Sequence, residues 1–143
     1  MNCKSGSQLS FEETTSADEA RCVVDLLIAH NDAHTAVSRR VPLQVVARRS
    51  DGAIVGGAIG WTIYHWCYVD ILALAPDVRG TGEGARLLEE VERVARARGC
   101  VGVHLSSYPF QAPEFYKRQG YAEFGRIDGL PPGHSNVWLM KRI

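Results

Sequence analysis

The sequence predicts an α/β domain built on a mixed β-sheet, and three observations carry the prediction. Strand-forming segments at Leu43 to Arg49, Ala53 to Ile63 and Trp66 to Leu74 follow one another. Beyond them the hydrophobic period switches repeatedly between helical and extended. The 143 residues, 45% hydrophobic and 22% charged, suit one compact domain over 1–143 rather than two.

Taken in order, a short strand is expected at Gln8 to Glu13, followed by a capping box in which Ser16 is answered by Glu19 three residues later. Ala20, Val23, Val24, Leu27 and Ile28 then recur at helical spacing and describe one buried stripe, with Asp18, Arg21 and Asp25 left for solvent. His30 to Arg40 reads either as a second short helix or as an irregular connection. The next two strands are separated by Ser50-Asp51-Gly52, which suits an antiparallel hairpin. In Trp66 to Leu74, strict alternation places Val69, Ile71 and Ala73 on one face and Tyr68, Asp70, Leu72 and Leu74 on the other.

From Gly84 to Arg98, Ala85, Leu87, Leu88, Val91, Val94 and Ala95 form a helical stripe. Glu89 and Arg93, and Glu92 and Arg96, are spaced as exposed i,i+4 pairs, and Gly99 closes the helix. Val101 to Ser106 follows as a strand parallel to Trp66 to Leu74, because a helix joins the two. Ala112 to Gln119 is a further helix, and Tyr121 to Ile127 and Asn136 to Arg142 are final strands around the loop Asp128 to His134. The expected order is β-α-(α)-β-β-β-α-β-α-β-β.

Composition narrows the function. Lys plus Arg is 16 and Asp plus Glu is 16, so the strong basic field that generic nucleic-acid binding uses is absent. No apolar run reaches the ~18 to 20 residues of a membrane span, and the N-terminus lacks the apolar region of a signal peptide, which points to the cytoplasm. Cys3, Cys22, Cys67 and Cys100 form no C-x-x-C pair and are expected as reduced thiols. His30 and His34 have i,i+4 spacing but no third ligand is evident, so no metal is expected.

The informative segment is Ala75-Pro76-Asp77-Val78-Arg79-Gly80-Thr81-Gly82-Glu83-Gly84-Ala85, which leaves a strand and runs into an amphipathic helix. Glycines let backbone approach an anion, the helix N-terminus favours negative charge, and Arg79 adds a permanent cation. The alternative is a glycine-rich turn without a ligand. A Walker loop requires Gly-Lys-Ser/Thr, which does not occur. A dinucleotide fingerprint on Gly80, Gly82 and Ala85 would follow the strand at once and be answered by an acid on the next strand; five residues intervene, and Val101-Gly102-Val103-His104-Leu105 has no acid.

The pattern R-x-x-G-x-G, met by Arg79, Gly82 and Gly84, resembles the acetyl-CoA pyrophosphate loop of the GNAT superfamily of N-acetyltransferases. Ala112-Pro113-Glu114-Phe115-Tyr116-Lys117-Arg118-Gln119-Gly120-Tyr121 resembles that superfamily's second motif, A-x-x-F/L-Y-x-x-x-G-F/Y. The segments Phe110 to Tyr116 and Pro132 to Ser135 are similar to a subgroup of small proteins in it. Many members carry Asn three residues before the Ala of the second motif, where this chain has Pro109.

The resemblance implies a mostly antiparallel central sheet with one splayed parallel strand pair, flanked by helices. It implies transfer of acetyl from acetyl-CoA to a primary amine, on a small molecule or an exposed protein amine, by direct attack on the thioester. Backbone from Arg79 through Gly80, Thr81, Gly82, Glu83, Gly84 and Ala85 would hold the pyrophosphate, and Leu72-Ala73-Leu74 would pair with pantetheine. Tyr116 matches the acid that protonates the leaving thiolate; its alternative is a half-buried core tyrosine beside Phe115, which packs.

Asp70 is the candidate base because a carboxylate inside an apolar strand can have its pKa raised, a structural contact being the alternative. His65 is the other candidate base. His65, Tyr68, Asn31 and His34 are expected to border the acceptor, whereas His104 is expected beside a helix or solvent, and His134 and Ser135 in a plain turn. Dimerisation through the last strands is a further expectation. A noncatalytic acyl-CoA-binding sensor or interaction module is the competing reading, one that would need neither Tyr116 nor Asp70.

Overall fold

The computed structural model describes residues 9–143. They fall into two units that divide between Val37 and Ser38.

The first unit contains one helix, α1 (Ala17–Asp32). Ser16 caps it, its hydroxyl accepting from the Glu19 N–H at 3.3 Å. The reciprocal half of the capping box is not made. The Glu19 carboxylate accepts from the Thr14 hydroxyl, and the Ser16 N–H donates to Thr14 Oγ1 at 3.1 Å. Gln8 lies outside the described residues, and Leu9 to Glu13 form no strand. The stripe of Ala20, Val23, Val24, Leu27 and Ile28 is helical as expected but not buried, and only Ile28 is even half-covered. Helical spacing fixes which residues share a face; what covers that face is a tertiary matter. The segment from His30 continues α1 to Asp32 and is irregular thereafter.

The second unit is a six-stranded mixed sheet with helices. In chain order it comprises β1 (Val41–Arg48), β2 (Ile54–Ile63), β3 (Trp66–Leu74), α2 (Glu83–Ala97), β4 (Gly102–Ser107), α3 (Pro113–Arg118), β5 (Ala122–Asp128) and β6 (Ser135–Arg142). Short 3₁₀ turns at Pro76–Val78 and Pro109–Gln111 precede α2 and α3. The sheet order is β1-β2-β3-β4-β6-β5, antiparallel except for the β3–β4 pair. The β1–β2 hairpin and the parallel β3–β4 crossover are those the sequence predicts.

One face of the sheet receives α2. Leu87, Leu88, Val91 and Ala95 bury against Leu43, Ala58, Cys67, Val69, Val103, Leu105, Val137 and Leu139. Full burial of such side chains contributes about 1.5–3 kcal/mol each, so this face anchors the unit. Tyr116 and Tyr121 close the same core. Glu92, expected as an exposed partner of Arg96, is buried within it. It accepts from the Tyr121 hydroxyl at 3.2 Å and from Lys141 Nζ at 2.9 and 3.0 Å, while Arg96 meets it at 3.3 Å. Arg93 pairs with Glu90 at i,i+3 rather than with Glu89.

The strict alternation expected in β3 is broken. Ile59 pairs with Ile71 and Gly60 with Val69, so Asp70 is an extra residue opposite β2, a β-bulge. Ahead of it Cys67 and Val69 are buried on the α2 side; beyond it Leu72 and Leu74 are the covered residues, while Ile71 and Ala73 are exposed. One inserted residue exchanges the two faces.

Gly60 accommodates the bulge. A Cβ there would stand 1.9 Å from the Tyr68 carbonyl oxygen and 3.1 Å from Val69 Cα, a collision with backbone that no rotamer relieves. We predict that Gly60→Ala lowers stability by about 1–3 kcal/mol, the usual cost of overpacking, as read by urea denaturation. An unchanged midpoint would show that the bulge does not depend on this glycine.

Candidate functional site

The bulge separates β3 from β4. The two strands pair in parallel only from Trp66 with Gly102 to Val69 with Leu105. Beyond that point they diverge around a cavity of about 510 Å³ lined by Asp70, Leu72, Leu74, Arg79, Ser106 and Tyr116, among others. The Ala75 N–H donates to the Val55 carbonyl at 2.7 Å. Because successive residues of a strand point their N–H and C=O to opposite sides, Leu72 and Leu74 turn theirs away from β2, toward the opening. The parallel partner strand is missing there, so a ligand with amide groups can take its place.

The loop after β3 builds one end of this cavity. Pro76–Val78 is a 3₁₀ turn; the Thr81 hydroxyl then donates to the Val78 carbonyl at 2.7 Å, and Arg79 Nε donates to the Leu74 carbonyl at 2.8 Å. Arg79 is thereby tied to the strand end while lining the cavity. Gly80 and Gly82 have φ of 73° and 87°, a region that L side chains rarely adopt, and no atom lies within 4 Å of where a Cβ would stand on either. Gly82 is the N-cap of α2 and supplies no side-chain cap, so the first N–H groups of the helix keep their affinity for an anion. Glu83, in the first turn, is paired with Arg86 at 3.0 Å. Gly84 fits against the Phe115 ring, 3.3 Å from a notional Cβ, which gives Phe115 the packing role expected of it.

Tyr116, in α3, is 7% exposed and lines the cavity; its ring meets Phe115 at 5.0 Å and Tyr121 at 6.0 Å, both edge-on. Its hydroxyl takes no side-chain hydrogen bond among the described residues. Burial pushes its pKa above the ordinary tyrosine value, which holds the proton on the oxygen at neutral pH. Asp70 also lines the cavity, but on its open side: it is exposed at the bulge rather than enclosed in an apolar strand.

Other expected residues are distributed differently. His65 occupies the two-residue turn between β2 and β3, with φ of 61°. Its Nδ1 meets the Gly99 carbonyl at 3.1 Å, and it is not part of the cavity wall. Tyr68 stands beside the wall, near Ser106 and Asp70. Asn31 and His34 belong to the first unit, where His34 Nδ1 meets the His30 carbonyl at 2.8 Å and the two imidazoles lie 4.3 Å apart. No cluster of three metal-ligating side chains occurs among the described residues. His104 is half-buried between Tyr68 and Trp66, on the opposite face from the buried Val103 and Leu105, with part of its surface open to solvent. His134 and Ser135 lie at the turn into β6, the serine hydroxyl donating to Asp128 at 2.7 Å. The His134 ring meets Phe110, a residue of the cavity wall, edge-on at 5.5 Å.

Sequence reasoning missed much of the far wall: Ser106, Ser107, Phe110, Gln111 and Ala112. Pro109 opens a 3₁₀ turn there. The Gln111 side chain accepts from the Tyr108 N–H at 3.1 Å, and Ala112 is held at φ 73° between that turn and α3. A left-handed conformation costs a non-glycine residue roughly 1 kcal/mol or more. The available signal was two consecutive serines ending a parallel strand, which says nothing of a cavity until the strands are seen to part.

This arrangement can be set beside known proteins. The model of the Acetyltransferase (GNAT) family matches residues 9–121. The chain is 32% identical over 133 residues to Acetyltransferase Atu2258 of Agrobacterium fabrum, covering 93% of this chain and 97% of the relative. It is 36% identical over 113 residues to Blasticidin-S acetyltransferase of Streptomyces morookaense, covering 76% and 83%. The crystal structure of an acetyltransferase from Bacillus cereus superposes with a TM-score of 0.87 at 32% identity, covering 94% of this chain and 98% of that one. A family match across most of the sequence and a fold shared almost end to end have one conclusion: the chain belongs to the acetyltransferase (GNAT) family.

Proposed function

We propose that the protein transfers acetyl from acetyl-CoA to a primary amine. The observation that carries this reading is the parting of β3 and β4 over a cavity bounded by an open glycine loop at one end and reached by a buried tyrosine. The residues fit the donor. Backbone from Arg79 to Ala85 would meet the pyrophosphate, Gly80 and Gly82 leaving room above the chain, and Leu72 and Leu74 would pair with the amides of the pantetheine arm. The donor supplies an activated acyl group as a thioester.

What remains is proton handling and alignment, and these fall to the chain. Asp70, directly or through water, would take the proton that an ammonium must lose before its nitrogen can attack. The Leu72 N–H faces the opening and would stabilise negative charge on the thioester oxygen. Tyr116, kept protonated by burial, would donate to the departing sulfur, and its proton would be restored by the second one that the nitrogen sheds as the amide forms. The divergent strands hold donor and acceptor in one orientation, which is itself a large part of the rate.

Asp70 is favoured over His65 as base because it lines the cavity, whereas the His65 ring meets the Gly99 carbonyl from the hairpin turn. The relative named for blasticidin-S leans the choice of acceptor toward a small molecule. The free thiols of Cys22, Cys67 and Cys100 suit a cytoplasmic, reducing location. The edge position of β5 supports dimerisation through the last strands.

Two experiments test the reading. In calorimetric titration with CoA, NAD and ATP as controls, acetyl-CoA is expected to bind at micromolar concentration, and Arg79→Ala to weaken it about tenfold, the scale of a charge-assisted contact. Absence of binding would make the loop a turn and remove the assignment. With an amine that turns over, Tyr116→Phe is expected to lower kcat by about 10²-fold or more while the acetyl-CoA affinity is kept. The sign of the pH dependence follows from the raised pKa: the acid is competent when protonated, so the wild-type rate loses nothing to this group until the pH passes the ordinary tyrosine value of about 10. An unchanged Tyr116→Phe rate would leave the sulfur without its proposed donor, and binding without turnover of any amine would favour the noncatalytic module.

A further inference from the structure

The face of the sheet turned away from α2 carries a continuous row of aromatic rings. Strand register places Trp61 opposite Tyr68, and Tyr68 opposite His104. The ring centroids are 4.7 Å apart in the first pair and 5.0 Å in the second. Trp66 extends the row, 6.1 Å from His104, with its ring laid over Gly102, where a Cβ would come within 2.3 Å of it. All four side chains are half-buried, so each offers part of its surface.

Both ends of the row already hold a cation. The Arg40 guanidinium lies 4.6 Å over Trp61, and that of Arg142 lies 5.1 Å over Trp66. The middle is different: Tyr68 borders Ser106 and Asp70, which are both in the cavity wall. Asp70 forms no ion pair among the described residues, and a single residue of strand, Val69, separates it from Tyr68. His104 adds no competing charge there, since burial lowers its pKa below the ordinary histidine value and leaves the ring neutral at pH 7. A cavity edge that joins a ledge of aromatic rings, inclined to one another by 43° and 47°, to one unpaired carboxylate, with cations beyond it at both ends, is complementary to a single ammonium on an aromatic body. It is poorly suited to a polyamine, whose further charges would meet Arg40 or Arg142.

We propose that the acceptor is an arylalkylamine-like molecule: a planar aromatic ring resting on the Trp61–Tyr68–His104 ledge, with its one primary ammonium group toward Asp70. The proposal rests on the acetyl-transfer reading for its chemistry, but the binding it asserts is measured without turnover.

The test is calorimetric titration of the full chain, free and saturated with CoA, against three probes: 2-phenylethylamine, 2-cyclohexylethylamine and 3-phenylpropionate. The first two share charge and approximate size and differ in planarity; the third keeps the ring and reverses the charge. The aromatic amine is expected to bind about tenfold more tightly than either of the others, the scale of an added ring-stacking contact. Tyr68→Leu and Trp61→Leu are expected to erase the preference for the aromatic over the cyclohexyl amine, Tyr68→Phe to keep it, and Asp70→Asn to erase the preference for ammonium over carboxylate.

Acetyl-CoA affinity reports whether each variant is folded. Equal binding of the two amines, no binding of any probe at millimolar concentration, or a preference that survives Tyr68→Leu in a protein that still binds acetyl-CoA would each overturn the proposal. Aromatic selectivity in a protein that does not bind acetyl-CoA would instead uphold the ledge and remove the acetyl-transfer reading, so the two failures are distinguishable.

Discussion

The site depends on one extra residue. At Asp70 strand β3 is a residue longer than the stretch of β2 opposite it, and the sheet absorbs the excess as a bulge. The consequences are geometric: the faces of β3 exchange, the strand parts from β4 after Val69, and the backbone of Leu72 and Leu74 is left without a parallel neighbour. A glycine at position 60 is what permits this, because the Tyr68 carbonyl stands where any side chain would begin. Leaving strand groups unpaired costs free energy unless something else bonds them, which is why the proposed function gives these groups to the amides of a ligand.

In the proposed function, recognition at the other end of the cleft is also carried by backbone. The chain has no net charge, and the loop after β3 concentrates attraction for an anion by position: two left-handed glycines, an uncapped helix N-terminus and Arg79 tethered to the end of the strand. The tether matters because a guanidinium held by the Leu74 carbonyl has lost its rotamer freedom in advance and loses less on binding.

Behind the cleft, the α2 core and a buried polar network keep the helices in place. Glu92 receives Tyr121, Lys141 and Arg96, joining α2 to the start of β5 and the end of β6. Burial and the Glu92 carboxylate together push the Tyr121 pKa well above its ordinary value, so that hydroxyl remains a donor at any physiological pH. Tyr121 packs on Tyr116, and the network therefore backs the very side chain that reaches the cavity. A carboxylate buried this deeply is tolerable because its oxygens are satisfied by several donors at once.

By itself the sequence determined the local and periodic features. These are the strand and helix segments of the second unit, the hairpin at Asp51-Gly52, the parallel crossover, the glycine loop ahead of α2 and the tyrosine that follows Phe115. Each is written in neighbouring residues, through turn chemistry, hydrophobic period or a short motif. The tertiary structure alone decided the rest: the parity of β3 beyond Asp70, the burial of Glu92, the exposure of the α1 stripe, the removal of His65 to a turn, and the assembly of Ser106, Phe110 and Ala112 into one wall with Asp70. These depend on how a strand registers against its neighbours and on which surfaces meet. Such contacts join residues far apart in the chain, and no local period encodes them.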